Sequence, residues 1–76
     1  MELRQGEIGG TYVIEKISLP LQVEKRLEAL GMTQGTPVTV QNKKSGGTMI
    51  VKVRGTRFAL GRGITKNIEM TEAVSE

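Results

Sequence analysis

The segment at residues 27–40 (LEALGMTQGTPVTV) most constrains the fold, because it joins the end of a helix to the start of a strand. Gly31 follows the last apolar residue of a helical pattern. Glycine adopts the left-handed conformation that ends many helices without a Cβ penalty. Met32 is then expected to fold back toward Leu27, as in a Schellman motif, and Gly35 predicts a second tight turn before the strand. The segment therefore predicts a helix laid across a small sheet.

Short apolar patterns place the remaining elements along the chain. Residues 11–17 are rich in β-branched side chains and predict a first strand, with a bulge near 15–16. A helix is expected from Ser18 or Leu19 to about Leu30, with Pro20 in its first turn. Its apolar stripe should pack on the sheet, because so short a helix is marginal in water without tertiary contacts.

The second half of the chain predicts a succession of strands and turns. Alternating residues indicate strands at 37–41 and 48–53, separated by a polar loop at 42–47. A further strand is expected after a turn at 54–57, and the glycines at 61 and 63 end it. A single 3₁₀ turn at 64–67 and a closing strand at 68–70 complete the pattern. Five short strands and one helix predict a mainly β domain over residues 1–70, a small, partly open barrel with the helix between strands 1 and 2. Residues 71–76 are expected to be a mobile tail.

A hairpin turn is predicted at residues 54–57. Gly55 would occupy the first central position, as a type II′ turn requires. That register pairs Val53 with Phe58 and keeps the apolar side chains of both strands on one face. The positions expected to form the core, the helix stop and the turns are Leu19, Val23, Leu27, Leu30, Gly31, Gly35, Val38, Val40, Val51, Val53, Gly55, Phe58 and Leu60.

Composition excludes several kinds of chemistry. The 76 residues contain neither cysteine nor histidine. The chain therefore cannot form disulfides, and it has no thiol or imidazole for nucleophilic or acid–base catalysis. No signal-peptide pattern or membrane-spanning apolar run is present, which indicates a cytoplasmic protein that does not insert into the membrane. We expect no enzyme activity and no cofactor. Glu24 and Glu28, one helical turn apart, are weak candidates for a divalent metal, and a solvated helix face is the simpler interpretation.

Three basic residues and two apolar residues are the candidates for partner binding. In the predicted register Arg54 and Arg57 lie opposite each other beside Lys52, either splayed into water or forming an electropositive hairpin that meets an acidic protein surface. Leu21 and Met32 flank the two ends of the helix, where each either belongs to the core or lines an apolar cleft. The motif at 61–63 (GRG) is more typical of a strand-ending turn than of a phosphate loop.

With these motifs in place, the chain resembles the FeoA family of small SH3-like proteins that accompany bacterial ferrous iron transport. The matching segments are 27–40, 49–63 (MIVKVRGTRFALGRG), 64–70 (ITKNIEM) and the GTYVIEKI strand, which together cover about residues 3–70. The resemblance implies a cytosolic, non-enzymatic module that acts with the cytosolic part of a FeoB-type permease. The same domain type is similar to the C-terminal module of iron-dependent repressors, for whose winged-helix domain this chain has no room.

An alternative function is a small basic nucleic-acid-binding barrel. The 11 Lys and Arg residues fit that function, but they are scattered along the chain. Such barrels offer aromatic platforms for base stacking, and the aromatic residues here are Tyr12 and Phe58, of which Phe58 is predicted to be core. A protein partner, the permease, is therefore the preferred prediction, and binding to nucleic acid is not expected. The sequence leaves the oligomeric state open, including a dimer by pairing of a free edge strand.

Overall fold

The computed structural model describes residues 1–72, which fold into one five-stranded antiparallel sheet, one helix and two single turns of helix. The strands are β1 (Thr11–Ile17), β2 (Pro37–Lys43), β3 (Met49–Val53), β4 (Thr56–Leu60) and β5 (Ile68–Glu72). The helices are α1 (Leu21–Ala29) and the one-turn α2 (Arg62–Thr65), with a 3₁₀ turn at Leu3–Gln5.

The sheet has the order β4-β3-β2-β1-β5, so it is not closed between β4 and β5 over residues 1–72. Because α1 lies in the connection from β1 to β2, the prediction of a mainly β, partly open, five-stranded fold with its helix between strands 1 and 2 is confirmed. The expected bulge in the first strand is also present, as the β1–β5 register shifts between Ile14 and Lys16.

The core lies on one face of the sheet and takes alternate residues from each strand. The buried apolar side chains are Leu3, Tyr12, Ile14, Leu27, Met32, Val38, Val40, Met49, Val51, Val53, Leu60, Ile68 and Met70. Partly buried residues pack against this cluster, namely Ile17, Leu19, Phe58 and Ile64. Burial of this apolar surface is the main stabilising contribution to such a domain.

The helix stop has the geometry of a Schellman motif. Gly31 has a φ of 90°, in the left-handed region. The Met32 N–H donates to the Leu27 carbonyl at 2.9 Å, and the Gly31 N–H donates to the Glu28 carbonyl at 2.9 Å. Met32 and Leu27 are both buried, so the residue after the glycine folds back onto the helix as the sequence predicts.

The helix begins later than expected. Pro20 is its N-terminal cap and no side chain caps the first turn, so neither Ser18 nor Leu19 has that role. The Ser18 N–H instead donates to the Asn67 carbonyl at 2.8 Å, which holds Ser18 beside the segment that precedes β5. Leu30, predicted to face the sheet, is 43% exposed, because it is the C-terminal cap at which the chain turns away.

The β3–β4 hairpin has a different register from the predicted one. Val53 pairs with Thr56, and Arg54 and Gly55 both have positive φ, at 50° and 82°. This is a type I′ turn, whose twist matches that of the flanking strands, rather than the type II′ turn expected. The register differs by two residues, so Phe58 pairs with Val51 and the apolar face is unchanged.

Two strands are longer than predicted. β2 continues through Lys43, after a register shift between Val40 and Asn42, so the polar loop is shorter than the expected 42–47. β5 continues to Glu72, where it pairs with Tyr12 of β1. The first two residues of the predicted tail therefore belong to the sheet, and its remaining part, 73–76, lies outside the described residues.

The N-terminal segment wraps over the sheet and holds Tyr12. The Glu7 N–H donates to the Tyr12 hydroxyl oxygen at 2.9 Å. A Cβ added at Gly10 would lie 2.6 Å from that oxygen, and one at Gly6 would lie 2.9 Å from a ring carbon. The two glycines therefore allow the segment to close around the ring, because no side chain fits at either position.

Candidate functional site

The β3–β4 hairpin carries three exposed cations, Lys52, Arg54 and Arg57, which we call the basic hairpin. Arg54 and Arg57 were predicted to lie opposite each other. In the structure Arg57 instead pairs directly with Lys52 across the two strands. Like charges in directly opposite positions are mildly destabilising. The fold therefore concentrates positive charge on the exposed surface of the hairpin, and the directly opposed pair is Lys52 and Arg57 instead of the predicted Arg54 and Arg57.

Arg54 links the hairpin tip to the end of α1. A Cβ built on Gly31 would lie 3.1 Å from Arg54 Cδ and 3.4 Å from its Nε, so the arginine side chain passes directly over this glycine. A cation near the C-terminal end of a helix interacts favourably with the helix dipole. The helix stop and the basic hairpin thus meet in one surface.

The basic hairpin forms no salt bridge within residues 1–72. The ion pairs in that part of the chain join Arg4 to Glu2 and the Met1 ammonium to Glu69, the latter at 3.4 Å. No carboxylate within the described segment lies within 4.0 Å of a cation of the hairpin. These positive charges are therefore available to an anionic surface.

The apolar candidates do not form one patch with the hairpin. Met32 is 0% exposed, so it belongs to the core and offers no contact surface. Leu21 is 65% exposed but lies at the first residue of α1, roughly 13 Å along the helix axis from Leu30. Leu30 was predicted to belong to the core but is exposed. It comes directly before Gly31, the glycine over which the Arg54 side chain passes. Its position as the last residue before the helix stop was the available signal.

The paired carboxylates line a cleft between α1 and the β1 bulge. The cleft has a volume of about 650 Å³, and Glu24 and Glu28 face Glu15 and Lys16 across it. Within residues 1–72 no three potential metal-binding side chains come together at metal-binding distance. Glu15, which the sequence analysis did not single out, also lines the cleft and lies at the β1 bulge, between Ile14 and Lys16.

A second cleft, of about 480 Å³, is lined mainly by polar and basic side chains and lies at α2. Its residues are Glu2, Arg4, Arg62, Lys66 and Asn67. The aliphatic part of the Arg62 side chain packs over Gly47, where an added Cβ would lie 3.1 Å from Arg62 Cβ. β4 ends at Leu60, just before the GRG motif, in line with the strand-ending turn expected for it. Gly61 is the N-terminal cap of α2, which is α-helical and begins two residues earlier than the 3₁₀ turn predicted at 64–67.

Comparison with protein families identifies the chain. The family model for the FeoA domain matches residues 1–72. The chain belongs to the FeoA family. No curated protein sequence matches this FeoA chain.

Solved structures agree with this assignment. The zinc complex of Stenotrophomonas maltophilia FeoA, described as a procaryotic SH3 domain protein, is 28% identical with a TM-score of 0.77, and the match covers 92% of this chain and 88% of that one. The solution structure of Chlorobium tepidum FeoA has a TM-score of 0.91 at 19% identity, over 100% and 73% of the two chains. The fold is therefore the SH3-like FeoA fold, as expected.

The same fold recurs inside larger regulators. A manganese-dependent transcriptional repressor matches with a TM-score of 0.85 at 17% identity, over 97% of this FeoA chain and 41% of the repressor. At that identity the likeness concerns the fold alone. The expected similarity was to the C-terminal module of iron-dependent repressors, and this match is to a manganese-dependent one.

The FeoA chain belongs to a family of small accessory domains associated with ferrous iron transport. In the part that the structure describes, no helix combines the length and the apolar character needed to cross a membrane.

Proposed function

We propose that this FeoA protein is a cytosolic, non-enzymatic module that binds the cytosolic part of a FeoB-type ferrous iron permease through its basic hairpin. The observation that carries the proposal is the clustering of Lys52, Arg54 and Arg57 on one short hairpin, without a carboxylate partner in residues 1–72. Complementary charge across an interface accelerates encounter and selects the partner. An acidic surface on the permease is therefore the expected contact.

The geometry of the hairpin supports a preformed contact surface. The Arg54 side chain lies beside Gly31 at the end of α1, and the strand register fixes the backbone positions of Lys52 and Arg57. A surface built on a sheet and a helix end loses less conformational freedom on binding than a flexible loop. The buried core residues beneath it, including Val51 and Val53, hold the register.

The test is a binding titration against the purified cytosolic part of a FeoB-type permease. Arg54→Glu combined with Arg57→Glu should weaken binding at least about tenfold, because two attractive contacts become repulsive. The melting temperature should change little, since both side chains are exposed.

Lys43→Glu combined with Lys44→Glu is the matched control. It makes the same change in net charge at the opposite end of β3, in exposed positions. Equal loss of affinity in both double variants would indicate a general charge effect and would contradict a contact at the hairpin. Unchanged binding of the arginine variant at low salt would exclude the hairpin as the interface.

The nucleic-acid alternative receives less support. Tyr12 is buried with its hydroxyl bonded to the N-terminal segment, and Phe58 is half-buried against the core. Base stacking contributes about 1–3 kcal/mol per base in single-strand binders, and Phe58, which is only partly accessible, is a single aromatic residue and not a row of stacking platforms. A DNA or RNA titration at two salt concentrations separates the alternatives, since tight binding with a steep salt slope would favour nucleic acid.

A further inference from the structure

We propose that the free edge of β4 pairs with an extended, acidic segment of a protein partner, which adds a further strand to the sheet. The proposal deepens the function above, and its placement of that segment on the permease rests on that function.

The two edge strands of the sheet differ, because the N-terminal segment pairs with the outer edge of β5 and no described segment pairs with the outer edge of β4. At the β5 edge, the backbone of Glu2 forms an antiparallel β-bridge with that of Glu69. The Met70 N–H also donates to the Met1 carbonyl at 2.6 Å. The buried Leu3 anchors this cover in the core. At the β4 edge no backbone group of residues 1–72 pairs with the strand from outside. Proteins usually protect such edges, because an unpaired row of N–H and C=O groups is a template for another strand.

The hairpin register identifies the unpaired groups. In a hairpin with a two-residue type I′ turn, the pair that flanks the turn exchanges both of its hydrogen bonds, and such pairs recur at every second position. That pair is Val53 and Thr56, so Thr56, Phe58 and Leu60 bond to β3. The backbone N–H and C=O of Arg57 and Ala59 consequently point away from the sheet. They provide two donors and two acceptors, as strand addition requires.

The charges beside this edge select an acidic occupant. Arg57 projects from the edge strand itself and Lys52 from its neighbour, both exposed and without a carboxylate partner in the described segment. A second copy of the chain would bring its own Arg57 and Lys52 to the same edge, and opposed like charges are unfavourable. An added strand with Glu or Asp opposite Arg57 would pair favourably. On the other face, the half-buried Phe58 offers an apolar contact.

Residue-resolved amide hydrogen exchange by NMR on the full chain tests the pairing. In the free protein, the amides of Arg57 and Ala59 should exchange quickly, while that of Phe58, bonded to β3, exchanges slowly. Two probes are then added separately: the cytosolic part of the permease, and a fluorescein-labelled peptide that alternates glutamate with valine. Both should protect the Arg57 and Ala59 amides, and a peptide that alternates lysine with valine should not.

Ala59→Pro is the variant that removes the outward N–H. Proline is tolerated where an edge strand's N–H faces away from the sheet, so the fold should survive. Ala59→Ser is the matched control, since it changes the side chain and keeps the donor. Ala59→Pro should weaken both probes at least about tenfold while Ala59→Ser binds normally. If Ala59→Pro fails to fold, Arg57→Glu is used with the same two probes and should weaken both, because a carboxylate then stands opposite the acidic strand; unchanged binding of both probes would overturn the edge proposal.

The outcomes separate this proposal from the proposed function. Permease binding without protection of Arg57 and Ala59 would overturn the edge proposal and leave the permease as partner. Protection by the glutamate peptide without any permease binding would support the edge and overturn the permease as partner. Failure of both probes to protect these amides would overturn the edge proposal outright.

Discussion

At the scale of single residues, Gly31 ends the helix and also makes room for the site. Its φ of 90° lies in the left-handed region, which costs other residues about 1–2 kcal/mol. An added Cβ would also press on the Arg54 side chain at 3.1 Å. One glycine therefore determines both the direction of the chain after α1 and the position of a cation in the basic hairpin.

Gly31→Ala should lower the free energy of unfolding by about 1–2 kcal/mol, because alanine has a Cβ in the left-handed region. Urea denaturation followed by circular dichroism measures this change. The control is Gly63→Ala in α2, where φ is not positive and no atom lies within 4 Å of the added Cβ. That substitution should raise stability by about 0.4–1 kcal/mol. Equal effects at the two glycines would contradict the role assigned to Gly31.

At the scale of elements, α1 is held to the sheet mainly by Leu27. Leu27 is 4% exposed, whereas Leu21 at the start of the same helix is 65% exposed and Val23 is half-buried. The helix ends, at Leu21 and Leu30, therefore contribute little to the core. This division matters for mutagenesis, because a loss of binding at a core position reports instability and not a contact.

Leu27→Ala should cost about 2–5 kcal/mol, since it removes buried methyl groups and leaves a cavity. Leu21→Ala on the same helix should change stability by no more than about 0.5 kcal/mol. Thermal denaturation of the two variants gives the comparison. If Leu21→Ala were the more destabilising, the helix would pack on the sheet through a different face from the one described.

The sequence patterns were sufficient for the strands, the bulge and the helix stop, because each depends on residues close together in the chain. The hairpin register was wrong for a definable reason. A shift of two residues keeps Phe58 on the apolar face, so alternation alone cannot separate a type I′ from a type II′ turn. The helix start was wrong because Ser18 bonds to Asn67, a contact between distant parts of the chain that no local pattern contains.

The candidate site was predictable only in part. Clustering of Lys52, Arg54 and Arg57 follows from any hairpin at this position, and the structure keeps them together. The burial of Met32 follows from the Schellman motif that the sequence predicts, whereas the exposure of Leu30 depends on where the chain leaves the helix, which its place in the apolar stripe does not show. The free edge of β4 depends on the order of all five strands, which is a property of the whole sheet.

At the scale of the whole molecule, one core joins every strand to α1, and the N-terminal turn contributes Leu3 to it. A single core in so short a chain predicts cooperative, two-state unfolding. Guanidinium denaturation followed by far-ultraviolet circular dichroism and by NMR peak intensities should give coincident midpoints. Two resolved transitions would show that the N-terminal segment or α1 unfolds separately from the sheet.

The enclosure of Tyr12 has a practical consequence. The chain contains one tyrosine and no tryptophan, so ultraviolet emission excited near the tyrosine band comes from a single place. That place is the contact between β1 and the loop that donates the Glu7 N–H to the phenol oxygen. The molecule therefore contains its own optical reporter, and a change in its emission with intact circular dichroism would record the loop lifting from the sheet, without any attached dye.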